Sequence, residues 1–568
     1  MSGGGGLLNL IASGNQNVIL FGNPSKTFFK AKYAKHTNFG MQKFRLDYNG
    51  LRNMHLREES HFEFKVKRYG DLLMDTYLVV SLPHIWSPIY PPQSISGEWI
   101  GYDFKWIENL GSEMIKEISV SVGGQILQRF TGSYIKNAMA RDSTSEKLEQ
   151  FNKMTGHTKE LNDPANIHGR VNNYPSAYYT GNSDGAQPSI MGRKLYIPIP
   201  FWFSNSSKLA FPLVALQYNE LVVKVTLRPV YELFRIRNIE DTNKIYPYIQ
   251  PNLASNLMQF YRFLHTPPSL ELYDNDYENK SVEWNADVHM MATYVFLSDD
   301  EREKFAMDTH DYLFKDVQIH KFHNVTGSKN VKLETNGLVS NWMFHLQRTD
   351  VNLRNEWSNY TNWPYNETIP QNLILAPQVD NYKYPNYDNN PLEPVDTFRN
   401  GIGAGSNPDE GSNSVSQTFL TYSGNFNPQN MEHILQEFGI KIDGNYRENK
   451  MDRGIFEFLE PYRGSKGSSA NGIYYYNFNI NTNNSDYQPS GAMNVNKFKN
   501  IELEFTTYVP PLDPNAQVLT ICDEVGNVIG INKAEWNIYK YNYDITLYEE
   551  KYNIIHISSG NCGLMFAR

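Results

Sequence analysis

An alternation of apolar and polar residues with period two recurs along this chain and constrains its fold more than any other feature. In HFEFKVK, Phe62, Phe64 and Val66 alternate with His61, Glu63, Lys65 and Lys67. IELEF sets Ile501, Leu503 and Phe505 against Glu502 and Glu504. YKYNYDITL alternates Tyr539, Tyr541, Tyr543, Ile545 and Leu547 with Lys540, Asn542, Asp544 and Thr546. Successive side chains of a strand point to opposite faces, so each pattern predicts a strand with one wet and one buried face. That is the mark of antiparallel sheets. Aromatic residues, 14% of the chain with 38 Tyr and 31 Phe, suit the same pleated, half-buried surfaces. At 568 residues the chain exceeds the roughly 250–300 at which one core stops growing, so two β-domains are expected.

Helices are few. Capping boxes, which satisfy free backbone donors at a helix start, predict one helix from Ser143 with Glu146 (STSEKLEQFNKM) and another from Ser298 with Glu301 (SDDEREKFAMDTHDYLF). A shorter helix is expected over SKLAFPLVALQY, Ser207 to Tyr218, bent at Pro212. Alternation fades after ELVVKVTLRPVYELF and resumes at VEWNADVHMMATYVFL, which predicts a linker over 237–280. The expected division is an N-terminal arm (1–24), a first β-domain (25–236), and a linker with a second β-domain (237–568). Polar stretches at about 140–192 and 352–430 exceed ordinary connections and read as functional loops. No fixed short repeat is present, which disfavours solenoids and propellers.

The chain carries net −9, yet residues 1–70 hold 11 Lys/Arg against 4 Asp/Glu, a net +7 that leaves −16 for the rest. The segment KTFFKAKYAKHTNFG, Lys26 to Gly40, threads lysines among rings. Such a segment suits nucleic acid, where lysines neutralise phosphates and rings stack on bases, and equally an edge that meets another subunit. Two cysteines, Cys522 and Cys562, exclude a disulfide framework and a CxxC motif, and fit a reducing compartment. MSGGGGLLNLIASG lacks the charged start of a signal peptide, and nowhere do 18 apolar residues run together.

Catalytic chemistry finds little support. GNSDG, Gly181 to Gly185, fits G-x-S-x-G but lacks the flanking strand and helix that expose a nucleophile. GIGAGS at Gly401 lacks the spacing of a phosphate cradle. DNDYE, Asp274 to Glu278, has Asn279 where a calcium loop needs glycine. His289 and His345 sit beside apolar residues and read as structural. The N-x-S/T triplets at Asn205, Asn279, Asn324, Asn359, Asn366 and Asn483 are common in an Asn-rich chain and decide nothing. No catalytic, cofactor or metal residue is assigned. A secreted lectin should have a signal peptide, and a nucleic-acid binder should have basic residues beyond the first 70.

IPIPFWFSNSSKLAFPLVALQYNELVVKVTL, Ile197 to Leu227, resembles the signature of the double jelly-roll major capsid proteins of nucleocytoplasmic large DNA viruses. Four further segments match that family in the same order: KTFFKAKYAKHTNF, FLSDDEREKF, GIYYYNFNINTNNSDYQPSGAMNVNKF and YNIIHISSGNCGLMFA. The leader GGGGLLNLIASGNQNVILFGNP is similar to members from giant viruses of protists, and the sequence departs from the family pattern at Val495. The resemblance implies an all-β chain of two consecutive eight-stranded antiparallel jelly rolls with short helices and long insertions. It implies homotrimers whose six wedges form pseudo-hexagonal capsomers of an icosahedral virion assembled in the host cytoplasm. A minor capsid paralogue or an assembly scaffold is the alternative. It also implies that Lys26, Lys30, Lys32 and Lys35 lie on the inward base, facing acidic minor capsid proteins or an internal viral membrane, without sequence-specific nucleic-acid binding. The insertion at 366–430, with part of 140–192, is expected on the outer surface, where host contacts would form.

Overall fold

The computed structural model describes residues 4–90, 100–177, 187–242, 246–269, 272–366, 431–483, 488–513 and 538–566, together with 515–516, 519–523, 526 and 528–532. Sixteen strands form two sandwiches of the same topology. In the first roll these are β1 (Phe39–Asp47), β2 (Ser60–Lys65), β3 (Leu72–Ser81), β4 (Ile115–Val122), β5 (Gln125–Phe130), β6 (Lys194–Pro198), β7 (Leu221–Leu227) and β8 (His289–Leu297). They form one sheet in the order β1-β8-β3-β6 and another in the order β2-β7-β4-β5. The second roll repeats this with β9 (His310–Phe322), β10 (Ser328–Lys332), β11 (Leu338–Arg348), β12 (Leu435–Ile442), β13 (Asn445–Asp452), β14 (Ile473–Asn477), β15 (Ile501–Thr507) and β16 (Tyr543–Ser558). Its sheets run β9-β16-β11-β14 and β10-β15-β12-β13. The ladders pairing these strands are antiparallel, the arrangement of the jelly roll.

The alternating segments fold as expected. Phe62 and Phe64 are buried in β2, and Ile501, Leu503 and Phe505 in β15. In YKYNYDITL the strand begins only at Tyr543; Asn542 N–H donates to Thr349 Oγ1, and Tyr541 is nevertheless buried.

Four expectations need correction. The division expected after residue 236 would remove β8 from the first roll, yet β8 pairs with both β1 and β3. Residues 237–280 are therefore part of one connection inside the first roll, and the rolls divide after Leu297. The helix expected from Ser143 begins at Ser145, as α2 (Ser145–Thr155), with Thr144 at its cap. Ser143 instead closes an unforeseen helix, α1 (Gly132–Asp142), its N–H donating to the Met139 carbonyl. The helix expected over 298–314 stops at Met307 as α3 (Asp299–Met307), because HDYLF pairs with β16 as the start of β9. SKLAFPLVALQY forms two single 3₁₀ turns around a two-residue strand, Phe211–Pro212, which pairs with β3.

Strand order fixes where the connections lie. In each roll the hairpin (β4-β5, β12-β13) and the short β2-β3 and β10-β11 connections lie at one end. Arg68 donates to the Gln217 and Asn219 carbonyls, and Val214 N–H to the Asp71 carbonyl. The long connections meet at the other end, where Ala177 N–H donates to Ser87 and Ile107 N–H to Leu233. The two rolls point the same way. At their loop ends Gln250 N–H donates to Leu353, and Asn355 Nδ2 to the Tyr231 and Phe234 carbonyls. At their turn ends the Gln217 and Tyr218 N–H groups donate to Gly560.

Candidate assembly surfaces

The motifs weighed for chemistry are not brought together. GNSDG and GIGAGS lie outside the described residues. Asp274–Asp276 forms a 3₁₀ turn in which Asp276 accepts from Ser269 Oγ at 2.7 Å. Among the described residues no cluster of three His, Cys, Asp or Glu side chains is placed to hold a metal ion. His289 is buried with Nδ1 2.6 Å from the Asp287 carbonyl, and His345 packs against Tyr360 at 4.0 Å between ring centroids.

The most elaborate polar constellation lies where the rolls meet. Thr131 caps α1 by accepting from Tyr134 N–H at 3.3 Å, which orients the helix across the outer face of the β9-β16-β11-β14 sheet. There Tyr134 Oη donates to Glu550 Oε1 at 2.9 Å and Asn341 Nδ2 donates to Glu550 Oε2 at 2.9 Å. Arg141 pairs with Glu550 at 2.9 Å and with Asp142 at 2.7 Å. Burial alone would raise the Glu550 carboxyl, but Arg141 and Lys315 outweigh it, with Asn341 and Tyr134 assisting, and hold it below the ordinary value. A second buried carboxylate, Glu113, accepts from Ser133 and Ser358 and faces Lys136 at 3.6 Å. Buried charges paired this fully fix a geometry, and removing one partner strands the other in a medium that cannot solvate it. The apolar part of the seam is continuous: Val317, Met343, Ile473, Tyr475 and Tyr548 of the second roll belong to the same buried cluster as the core of the first.

Two outer regions contrast with this seam. Residues 26–38 are exposed, including Lys26, Lys30, Lys32 and Lys35, and Phe28, Phe29 and Tyr33 project with them. This arm joins β1 at Phe39, which pairs with Leu297, so it departs from the turn end. At the loop end the insertion expected on the outside leaves and re-enters through a closed base. Asn362 donates from Nδ2 to the Met431 carbonyl at 3.1 Å and from its backbone to Glu432 at 2.7 Å. Residues 367–430, and with them most of that insertion, lie outside the described residues.

The seam residues Tyr134, Arg141, Asn341 and Glu550 are absent from the sequence reading. A signal for them exists: Glu549, Glu550 and Lys551 interrupt an otherwise apolar strand pattern with three consecutive charges, which no single wet face accommodates.

Residues 27–297 match the family described as major capsid protein N-terminus, and residues 301–563 the family described as large eukaryotic DNA virus major capsid protein. The chain is 25% identical to the major capsid protein of Phaeocystis pouchetii virus over 99% of both chains. It is 22% identical to that of Paramecium bursaria Chlorella virus 1, again over 99% of both. Among solved structures it is similar to PBCV-1 VP54, with a TM-score of 0.56 at 19% identity, covering 95% of this chain and 100% of that one. The Faustovirus major capsid protein gives a TM-score of 0.56 at 12% identity, covering 94% and 93%. Both are double jelly-roll folds, as this chain is. The two family matches meet at the junction that separates the two rolls, and the chain belongs to the major capsid proteins of the large eukaryotic DNA viruses, whose work is to form the icosahedral shell.

Proposed function

We propose that the chain is one third of a homotrimeric capsomer, a pseudo-hexagonal block of six rolls that meets neighbouring capsomers through its flanks and works by shape rather than by catalysis. The observation that carries this reading is polarity: the longest connections of both rolls lie at one end and the basic arm departs from the other. A block that tiles a shell needs distinct outer and inner ends and unobstructed sides. On this reading the arm faces inward, where Lys26, Lys30, Lys32 and Lys35 meet acidic minor capsid proteins or anionic lipid. The insertion at 366–430 faces outward, where host contacts form, and assembly takes place in the host cytoplasm. Native mass spectrometry of the full chain tests the oligomer: a species of three times 65.6 kDa is expected, and a stable monomer at micromolar concentration contradicts the reading. Amine labelling of intact particles is expected to spare the four lysines; heavy modification before disruption contradicts the inward arm. Replacing residues 385–415 with a short Gly/Ser linker is expected to leave the trimer and its melting temperature nearly unchanged, because Asn362 closes the base of the insertion.

A further inference from the structure

We infer that the chain forms an intramolecular isopeptide bond: the Lys551 amine condenses with the side-chain amide of Asn336, Glu549 relays the protons and ammonia leaves. The bond lies within one subunit and holds whatever its oligomer.

The residues stand apart from the seam. Of the three consecutive charges Glu549, Glu550 and Lys551, the contact with Tyr134 and Arg141 uses Glu550. Side chains alternate along β16, so Glu549 and Lys551 share the face of Ile545 and Leu547, which belong to the core of the second roll. Both are buried, Glu549 completely. Charges inside a sandwich are costly, and what ordinarily offsets that cost is a short, direct ion pair. Here that contact is long, with Lys551 Nζ 3.9 Å from Glu549 Oε1. The amine instead lies against two carboxamide oxygens, Asn336 Oδ1 at 2.9 Å and Gln318 Oε1 at 2.5 Å. The carboxylate is held from other directions, by Thr335 Oγ1 at 2.5 Å and Trp342 Nε1 at 2.9 Å. A nucleophile, an acyl group and a proton relay therefore stand side by side.

Of the two amides, Asn336 is the one fixed in place. It lies on the connection from β10 to β11, between Thr335, which holds Glu549, and Gly337, whose φ of +86° turns the chain. Gly337 N–H donates to Asn496 Oδ1 at 3.0 Å and its carbonyl accepts from Val495 N–H at 3.1 Å, so the turn is pinned from two sides. A Cβ built on Gly337 would meet Lys551 Cδ at 4.0 Å, which places the turn against the lysine stem. Gln318 has one more side-chain torsion to immobilise, and its strand is already zipped to β16. Holding an amine and an acyl carbon together in one geometry makes an otherwise slow amide exchange unimolecular.

In the step itself Glu549 accepts the ammonium proton of Lys551, and the lone pair so freed adds to Asn336 Cγ to give a tetrahedral centre. The carboxyl returns the proton to Nδ2 and accepts a second from the attacking nitrogen as the Cγ–Nδ2 bond breaks and the carbonyl re-forms. Ammonia leaves with that second proton as ammonium. One amide replaces another, with no change of oxidation state and no co-reactant. Asn336 is exposed, which gives the ammonia a way out. The bond closes a ring between residues 215 positions apart and ties the β10–β11 connection to the central strand β16. A link across so long a loop removes many extended states from the unfolded chain.

The test is the mass of the full chain, folded and then denatured. It is expected to be lighter than the sequence by one ammonia, and digestion is expected to yield one branched peptide joining Asn336 to Lys551. The full sequence mass overturns the inference, as does a branch at Gln318. A succinimide at Asn336–Gly337 loses the same mass but leaves linear peptides and opens in mild alkali, and that outcome overturns it too. Lys551→Arg keeps the charge and removes the nucleophile, while Glu549→Gln keeps the shape and removes the relay. Each is expected to restore the full mass and to abolish the faster migration of the ring-closed chain in a denaturing gel. A bond that forms undiminished in Glu549→Gln overturns the relay. Should either variant misfold, the mass and peptide map of the unmodified chain decide alone.

Discussion

The two rolls share one topology but not one fate for the outer face of the corresponding sheet. In the second roll that face is sealed by α1, and β11 (LVSNWMFHLQR) and β14 (IYYYN) are buried on both sides. In the first roll the same face is open at its edge: β1 (FGMQKFRLD) is exposed along most of its length, while Leu72, Val79, Thr293 and Val295 of the central strands are buried. The difference arises from what lies beside each sheet, since the strand order is identical. A jelly roll in isolation leaves one sheet face to be covered by something else, and tandem duplication solves that problem for only one of the two copies. On the proposed capsomer reading, the remaining face is left for a neighbouring subunit.

The largest effect should come from breaking the sealed face electrostatically. Arg141→Ala takes away the nearer cation of the buried Glu550, leaving Lys315 at 3.8 Å, and is expected to cost about 3 kcal/mol, measured by chemical denaturation. Replacing the pair together, Arg141→Met with Glu550→Leu, is expected to recover part of that loss, because the most deeply buried charges leave together while Asp142 and Lys315 each lose one partner.

Acid should distinguish the faces next. Burial, with smaller contributions from the charges of Lys136 and Lys321, pushes His345 down to about 3. Among the described residues its Nδ1 has no hydrogen-bond partner. The folded chain therefore refuses a proton that the unfolded chain accepts below its ordinary value of 6.5, so this site subtracts stability as pH falls from 6.5 toward 3. The loss at pH 5 relative to pH 7 is expected to be about 2 kcal/mol. In denaturation series at several pH values, His345→Gln should flatten this part of the profile; an unchanged slope would assign the acid sensitivity elsewhere.

A smaller effect is expected from the cap of the covering helix. Thr131→Ala removes the acceptor for Tyr134 N–H and should cost about 1 kcal/mol. Smallest of all, Tyr196→Ser on the open face should change the stability of the monomer by no more than about 0.5 kcal/mol.

Much of this architecture is legible in the sequence. Period-two alternation identifies β2 and β15 because each has one wet face. The five ordered segments, IPIPFWF foremost, identify the family. The division between the rolls is not legible, because the connection before β8 runs through a long polar stretch that reads as a linker, and only pairing with β1 reveals where β8 belongs. Helix α1 escapes because GSYIKNAMARD carries no Glu or Gln in its first turn to complete a capping box. The seam escapes because Arg141 and Glu550, 409 positions apart, meet only once both rolls have formed.

The proposed capsomer requires that one face be sealed within the chain and that the exposed edge of its counterpart be covered on assembly. Hydroxyl-radical labelling read by mass spectrometry tests this directly, comparing Met41 and Tyr196 with Met343 and Tyr475 in the assembled protein and in the monomer obtained by dissociating it. Met343 and Tyr475 should be protected in both states, and Met41 and Tyr196 should react readily in the monomer and severalfold more slowly in the assembly. Equal reactivity of Met41 and Tyr196 in both states would contradict the account.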